Sequence, residues 1–152
     1  MLPHIRGRLL DIGCGTNKLV KSYMGEGIGV DVYQWGGDVD LLLDNSAKLP
    51  FKNETFDTVT IAGALNHIPN RSEVLAEAHR ILRQNGRIVI TMIPPRLSRV
   101  WHFLRKSWDV DQKERGMKPG EVFGLTRREV HYLLSSAFSI NYDFLLIFCF
   151  FR

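Results

Sequence analysis

The chain has little of what defines secreted scaffolds, metal clusters or membrane spans. Only two of its 152 residues are cysteine, Cys14 and Cys149, and two distant cysteines make neither a disulfide framework nor a metal-ligand pattern. The most apolar stretch, Phe144 to Phe151, has eight residues, against the roughly 20 of a transmembrane helix. The opening residues, interrupted by Arg6 and Arg8, are unlike a secretory signal. These absences predict a cytoplasmic chain without a transmembrane segment.

Composition and charge narrow the class only a little. Hydrophobic residues make up 45% and charged residues 24% of the chain, as in ordinary globular domains. Lys and Arg exceed Asp and Glu by 20 to 16, which permits an anionic substrate without predicting one. At this length we expect a single domain over residues 1–152.

Short apolar runs alternate with segments of helical period. In chain order they are Arg8 to Ile12, Lys18 to Met24, Gly27 to Val30, Val39 to Leu43, Phe56 to Ala62, Glu73 to Leu82 and Arg87 to Met92. The alternation predicts a three-layer α/β sandwich of Rossmann-like type with a mostly parallel sheet. Asn85 and Gly86 are expected to stop the helix that begins at Glu73.

A basic and aromatic excursion follows the fifth strand, which Pro94 and Pro95 close. Residues 96–120 lose the regular alternation, and we expect a helix and a loop there. The cations and aromatics of its first half are Arg96, Arg99, Arg105, Lys106, Trp101, Phe103 and Trp108. They suit an anionic or amphipathic acceptor or a membrane surface, or else belong to an ordinary surface helix packed on the sheet. Nucleic acid is the weaker option, because no reading motif accompanies them.

The C-terminal part predicts one more helix and a final strand. Thr126 and Glu129 form a capping box, and the helix should end near Ser136. Residues Phe138 to Tyr142 and Phe144 to Phe151 then indicate one long strand or a tight hairpin.

The first strand leads into two glycines one residue apart, where a helix begins. Asp11 precedes Gly13 and Gly15, and such a turn lets a ligand approach bare backbone. A plain strand-to-helix turn is the alternative. A dinucleotide fingerprint would need a third glycine where Lys18 stands, and no Walker-type loop is present. The turn therefore favours a nucleoside that carries an amino acid over a diphosphate.

Asp31 is expected to close the second strand, 18 residues after Gly13. A carboxylate there can accept hydrogen bonds from both hydroxyls of a ribose. The alternative is a solvated acid at a strand end.

These motifs, in this order, resemble those of class I S-adenosylmethionine-dependent methyltransferases. They read DIGCGT, GVDV, LPFKNETFDTV, LNHIP and EAHRILRQNGRIVIT, and they span residues 8–93. The chain is most similar to the subgroup of small-molecule and quinone-type enzymes. Glu77, Arg80, Leu82 and Gly86 match its helix and strand motif, while Asn85 replaces the usual first glycine.

The resemblance implies S-adenosylmethionine as cofactor and a set of binding residues. Gly13 and Gly15 would face the methionine part with Asp11 near its amino group, and Asp31 would bind the ribose. The adenine contact stays open between Asp44, Asn45 and Ser46, because Asn45 stands where the family has an acid. The remaining cofactor residues are Cys14 and Val32 in the two turns and Ala62 and Gly63, whose backbone would close over the methionyl group.

The resemblance also places Asn66 and His67 at the mouth of the site. His67 could act as general base or only shape the pocket. A sulfonium already activates its methyl group, so orientation and desolvation can do most of the work. We therefore expect methyl transfer to an unidentified small molecule without a covalent residue or a metal.

The first strand begins near residue 8, whereas the family usually has one or two helices before it. A homodimer or a partner chain could supply this cover. Three other functions stay open: an inactive cofactor-binding subunit that regulates a partner, a nicotinamide oxidoreductase, which the missing third glycine disfavours, and a nucleic-acid binding module.

Overall fold

A parallel β-sheet forms the centre of the computed structural model, which describes residues 1–105, 119–135 and 138. Its strands are β1 (Leu9–Ile12), β2 (Gly27–Asp31), β3 (Leu41–Leu42), β4 (Phe56–Ala62) and β5 (Leu82–Thr91). They lie in the order β3-β2-β1-β4-β5, and every neighbouring pair is parallel. The predicted Rossmann-like α/β fold is confirmed. The predicted final strand falls outside the described residues, apart from Phe138.

In the described residues, four helices and two short 3-10 turns accompany these strands. They are α1 (Lys18–Ser22), α2 (Arg71–Ile81), α3 (Pro95–Arg105), α4 (Arg127–Ser135) and the turns Leu2–His4 and Leu65–His67. From β1, the connection through α1 leads to β2 on one side of the sheet. From β4, the connection through α2 leads to β5 on the other side. Because parallel crossovers are right-handed, α1 and α2 cover opposite faces and make the three layers. Within the described residues, no helix has the length and apolarity needed to cross a bilayer.

The core lies between the sheet and these helices. Central strands are covered on both faces, so nearly all of their residues are buried rather than alternately buried and exposed. The side chains that are at most 1% exposed include Leu9, Leu10, Ile12, Val30, Phe56, Val59, Ile61, Val74, Leu75, Ala78 and Ile81.

Several predicted boundaries were wrong. Strand β5 begins at Leu82 rather than Arg87, and α1 ends at Ser22 rather than Met24. Helix α2 begins at Arg71 rather than Glu73 and ends at Ile81, and Leu82 is already extended. Asn85 does not stop this helix. It lies at a positive φ of 62°, inside an irregularity between the pairs Phe56↔Leu82 and Thr58↔Arg87, so the sheet pairing overrides the local turn signal. Strand β3 has two residues instead of the five from Val39 to Leu43, because it pairs only with the last residues of β2.

The predicted capping box at the start of α4 is confirmed. The Thr126 N–H donates to Glu129 Oε2 at 2.6 Å, and the Glu129 N–H donates to Thr126 Oγ1 at 3.3 Å. These two bonds satisfy donors that a helix start otherwise leaves unpaired. The helix ends at Ser135, next to the predicted end.

Glu77 and Arg80 of α2 hold the loop that leads into β4. The Arg80 guanidinium donates to both carboxylate oxygens of Glu77, at 2.7 and 2.8 Å. It also donates to the carbonyl oxygens of Phe51 and Leu49, at 2.9 and 3.2 Å, while the Leu49 N–H donates to Glu77 at 3.0 Å. The E-x-x-R motif is therefore a structural clamp on the L-P-F loop.

Candidate functional site

A cleft of about 230 Å³ opens at the carboxyl ends of β1, β2 and β4. Connections leave β1 and β4 in opposite directions, and such a switch point is where open α/β sheets bind ligands. The residues that line the cleft are Ile12, Gly13, Gly15, Val30, Asp31, Val32, Trp35, Leu43, Ser46, Ala62, Gly63, Ala64, His67 and Ile68. Eight of the predicted site residues are among them: Gly13, Gly15, Asp31, Val32, Ser46, Ala62, Gly63 and His67.

The glycine turn presents bare backbone to this cleft. Gly13 and Gly15 have positive φ angles of 71° and 56°, which L side chains adopt only with strain. A Cβ on Gly13 would lie 2.5 Å from the Ala64 Cβ, whereas a Cβ on Gly15 would meet no atom within 4 Å. Gly13 is therefore required for packing, and Gly15 leaves space that a ligand can enter.

Asp31 connects the end of β2 to this turn. Its Oδ2 accepts from the Gly15 N–H at 2.9 Å, and its Oδ1 accepts from the Tyr33 N–H at 3.0 Å. The residue is 8% exposed. Each carboxylate oxygen can accept more than one hydrogen bond, so the oriented carboxylate retains capacity for ligand hydroxyls.

Asp11 lies behind the wall of the cleft and is not part of its lining. It is 1% exposed, and its Oδ1 accepts from the Thr60 hydroxyl at 2.6 Å. Burial raises the pKa of Asp11 to about 7; the Thr60 hydrogen bond opposes this shift and the Asp31 charge adds to it. The Asp11 carboxyl group is therefore expected to gain or lose its proton near neutral pH. One residue, Ile12, separates it from Gly13 in the chain.

Cys14, also predicted as a cofactor residue, follows Gly13 but does not line the cleft. Burial raises the pKa of its thiol to about 12, helped by the charges of Asp31, Asp11 and Asp40. The thiolate is the nucleophilic form of cysteine. The raised pKa disfavours the thiolate form of Cys14.

The loop from Val32 to Asp40 supplies one wall of the cleft through Trp35. Asp40 Oδ2 accepts from the Gly29 N–H at 2.7 Å and from the Asn17 side-chain amide at 2.9 Å. These bonds tie the loop to β2 and to the start of α1. The ring of Trp35 packs edge-on against Tyr33, with centroids 4.7 Å apart.

Of the three candidates for an adenine contact, Ser46 is the one on the lining. Asn45 turns back on its own loop, because its Oδ1 accepts from the Ala47 N–H at 2.8 Å. Asp44 is exposed and does not line the cleft. The apolar part of the lining nearby comes from Leu43 and Ile68.

Ala62 and Gly63 form the opposite wall at the end of β4. The Gly63 N–H donates to the Thr91 carbonyl oxygen at 3.1 Å, which continues the sheet by one residue. Gly63 has a positive φ of 64°, and no atom lies within 4 Å of where its Cβ would stand. This wall, like the glycine turn, is backbone that a ligand can reach.

His67 stands at the mouth of the cleft, beside Glu121. The His67 Nδ1 is 3.5 Å from Glu121 Oε2, and the side chains are 27% and 2% exposed. The strap formed by residues 119–125 brings Glu121 there. Asn66 anchors the strap twice: its carbonyl oxygen accepts from the Val122 N–H at 2.9 Å, and its side-chain amide donates to the Val122 carbonyl oxygen at 3.3 Å.

Arg71 fixes the same strap from the first turn of α2. Its guanidinium donates to the carbonyl oxygens of Leu65, Asn66 and Gly120, at 3.0, 3.1 and 2.9 Å. Burial lowers the pKa of Arg71, although Glu121 and Glu129 oppose that shift. One cation thus joins the turn that carries His67 to the strap that carries Glu121.

Sequence reasoning missed Trp35, Ile68 and Glu121. An aromatic residue in a glycine-containing loop four positions after Asp31 is a signal that could have pointed to Trp35. Glu121 carried no local signal, because 54 residues separate it from His67.

A comparison with known families identifies the class of this fold and site. The sequence model described as "Methyltransferase domain" matches residues 10–90, which contain the glycine turn, Asp31 and His67. The chain belongs to this family, the class I S-adenosylmethionine-dependent methyltransferases. Membership implies S-adenosylmethionine as the cofactor.

Among curated proteins, the chain is 31% identical over 123 residues to the ubiquinone/menaquinone biosynthesis C-methyltransferases UbiE of Burkholderia mallei and Burkholderia pseudomallei. The match covers 68% of this chain and 49% of each relative. The chain therefore spans about half the length of the curated relatives it matches.

Solved structures share the fold. A methyltransferase from Methanosarcina mazei superposes with a TM-score of 0.63 at 21% identity, covering 92% of this chain and 84% of that one. A possible histamine N-methyltransferase from Thermotoga maritima gives 0.63 at 24% identity, covering 88% and 64%. The YcgJ protein of Bacillus subtilis gives 0.62 at 23% identity, covering 87% and 61%.

Proposed function

We propose that the chain transfers a methyl group from S-adenosylmethionine to a small-molecule acceptor of the quinone type. The observation that carries this proposal is the junction of Gly15 and Asp31. Bare backbone from one strand and an oriented carboxylate from the next meet at the switch point of the sheet. The family match over residues 10–90 supports it.

The residues of the cleft fit the three parts of the cofactor. The open backbone at Gly15 and Gly63 admits the methionyl part, and Asp31 accepts from the ribose hydroxyls. The apolar surfaces of Leu43, Ile68 and Trp35 suit a flat base, with Ser46 as the polar group at its edge. Asp11 acts from behind the turn, through its charge rather than by direct contact.

The cofactor, when bound, supplies a methyl group that its sulfonium activates toward in-line displacement. The chain's own residues then orient the acceptor and exclude water. His67 lies where it can take a proton from an acceptor hydroxyl. Glu121 orients the imidazole by accepting at Nδ1, which leaves Nε2 as the basic nitrogen.

The curated relatives are C-methyltransferases of ubiquinone and menaquinone biosynthesis, which supports a carbon atom as the methylated position here. Removing a proton from a ring hydroxyl raises the electron density at the neighbouring carbons. One of these carbons would then bond to the methyl group as the bond between that methyl group and the sulfonium sulfur breaks, which leaves S-adenosylhomocysteine. Loss of the proton on the methylated carbon would restore the ring. His67, at the mouth of the cleft, would serve as the base in this step.

A transfer assay tests the proposal. The chain is incubated with methyl-labelled S-adenosylmethionine and a short-tailed demethylated naphthoquinol, and label in the quinol is measured with the S-adenosylhomocysteine formed. We expect both in equal amounts. We also expect His67→Ala to lower kcat by about 100-fold or more, while Asn45→Ala, outside the cleft lining, leaves it within about twofold.

Cofactor binding without label transfer to quinols or to a wider acceptor set would contradict the proposal. It would instead favour an inactive cofactor-binding subunit. If the His67→Ala variant transferred the methyl group at an unchanged rate, His67 would have no catalytic role, but the assignment of the chain as a methyltransferase would stand.

A further inference from the structure

Helix α3, Pro95–Arg105, presents apolar side chains outward. Leu97, Val100 and Phe103 are 39%, 55% and 78% exposed, whereas the buried polar residue of this helix is Ser98, at 3%. A spacing of three residues places the apolar side chains along one stripe of the helix. Contiguous exposed apolar surface of this kind marks an interaction site.

The helices on either side of α3 in the chain have the opposite arrangement. In α2, Val74 and Leu75 are at most 1% exposed. In α4, Leu133 and Leu134 pack against the core. The outward stripe is thus a property of α3 and not of the helical layer as a whole.

The charge beside this stripe has one sign. Residues 91–108, which include α3, contain no Asp or Glu and hold four of the chain's 20 Lys and Arg. Arg96 and Arg99 are exposed next to the apolar stripe. Cations flanking apolar and aromatic side chains on a short helix suit the surface of an anionic bilayer, where phosphates meet the cations and the acyl boundary receives the apolar groups. A nucleic acid could stack a base on Phe103, but it would leave the aliphatic side chains of Leu97 and Val100 in water.

The exposed apolar surface of α3 lies on the same side of the sheet as the opening of the cleft. The helix begins four residues after β5 ends at Thr91, on the carboxyl edge of the sheet, where the cleft also opens. Ile93, in the short connection, is 43% exposed and extends the apolar surface along that edge.

We propose that α3 docks the chain on anionic membranes. Leu97, Val100 and Phe103 enter the boundary between headgroups and acyl chains, and Arg96 and Arg99 bind the lipid phosphates. An amphipathic acceptor could then reach the cleft from the bilayer. Only this last step rests on the proposed function, since docking itself requires neither cofactor nor acceptor.

Vesicle flotation with the full chain tests the docking. We expect the chain to float with vesicles of phosphatidylglycerol and phosphatidylcholine, to stay behind with phosphatidylcholine alone, and to be released at high salt. Phe103→Ser and Arg99→Glu should each weaken binding about fivefold or more. Tyr132→Ser and Arg128→Glu on α4 are matched controls, because Tyr132 is 80% exposed and Arg128 is also exposed, and they should change binding less than twofold.

Several results would overturn the docking. One is an absence of flotation with anionic vesicles, and another is equal weakening by the α3 variants and their α4 controls. A third is a dimer in sedimentation that Phe103→Ser dissociates, which would assign the stripe to a second copy of the chain. Methyl transfer to a water-soluble quinol is measured separately without vesicles, so failure of docking and failure of the enzyme are distinguishable.

Discussion

The Gly15 N–H donates to Asp31 Oδ2 at 2.9 Å, which links the first turn of the sheet to the end of its second strand. If Asp31 also binds the ribose, Asp31→Ala removes hydrogen bonds to a charged group. We expect affinity for S-adenosylmethionine to fall by about 10- to 150-fold, or about 1.5–3 kcal/mol. Glu26→Ala serves as control, because Glu26 lies at the amino end of β2, away from the cleft at the carboxyl ends of the strands. Unchanged calorimetric affinity in a folded Asp31→Ala variant would remove Asp31 from the site.

The two glycines of the turn should respond differently to alanine. Gly13→Ala adds a Cβ at 2.5 Å from the Ala64 Cβ and also strains a positive φ, so the free energy of unfolding should fall by about 2–4 kcal/mol. Gly15→Ala strains only φ and should cost about 1–2 kcal/mol, while its Cβ narrows the cleft and weakens cofactor binding.

Urea denaturation measures both variants, and Ala64→Gly in the Gly13→Ala background isolates the clash. The second change should restore part of the stability. If Ala64→Gly restores none of the lost free energy of unfolding, contact with Ala64 is not the reason that Gly13 is required.

Asp11 should make stability depend on pH. Its pKa is raised from 3.8 to about 7 in the fold, chiefly by burial. Between these values the native state holds a proton that the unfolded chain has released. The free energy of unfolding should therefore fall as pH rises from about 4 to about 7, with a slope approaching 1.4 kcal/mol per pH unit for this group.

Asp11→Asn cannot titrate and isolates that slope. Urea denaturation at pH 5, 6, 7 and 8 should show the variant gaining on the parent as pH rises, with little change above about pH 8. Parallel pH profiles for the two chains would show that Asp11 does not titrate in this window.

Arg80 should matter more for stability than Arg83, which lies three residues later in the chain. Arg80 donates to Glu77 and to two backbone carbonyl groups, and we expect Arg80→Ala to lower the free energy of unfolding by about 1–3 kcal/mol. Arg80→Lys should not rescue it, because an ammonium cannot reproduce the planar fork. Arg83→Ala, at a more exposed ion pair with Asp57, should cost less than about 1 kcal/mol.

Equal losses for the two arginine variants in urea denaturation would contradict the clamp. So would full rescue by Arg80→Lys.

Much of the fold and of the cleft lining could be predicted because the signals are local. The turn from Asp11 to Gly15, the acid at the end of β2 and the capping box at Thr126 each occupy a few consecutive residues. Each of these three features uses residue types that few other local structures require. Strand β4 was predicted with its observed ends, because a run buried on both faces stands out from its flanks.

The parts that could not be predicted depend on distant residues. Glu121 reaches His67 only because Asn66 and Arg71 bind the strap, and no local pattern announces those bonds. Asn85 reads as a helix stop, yet the pairing of β5 with β4 places it inside a strand irregularity. The outward stripe of α3 has the same periodicity as an inward one, so the sequence left both orientations open.

Calorimetric titration of the chain with S-adenosylmethionine, S-adenosylhomocysteine and, as control, NADH tests the central claim most directly. The site predicts micromolar binding of the first two ligands and none of the third, with both affinities reduced in Asp31→Ala and unchanged in Glu26→Ala. Binding of NADH, or no binding of either S-adenosyl ligand by the folded chain, would contradict the assignment of this cleft.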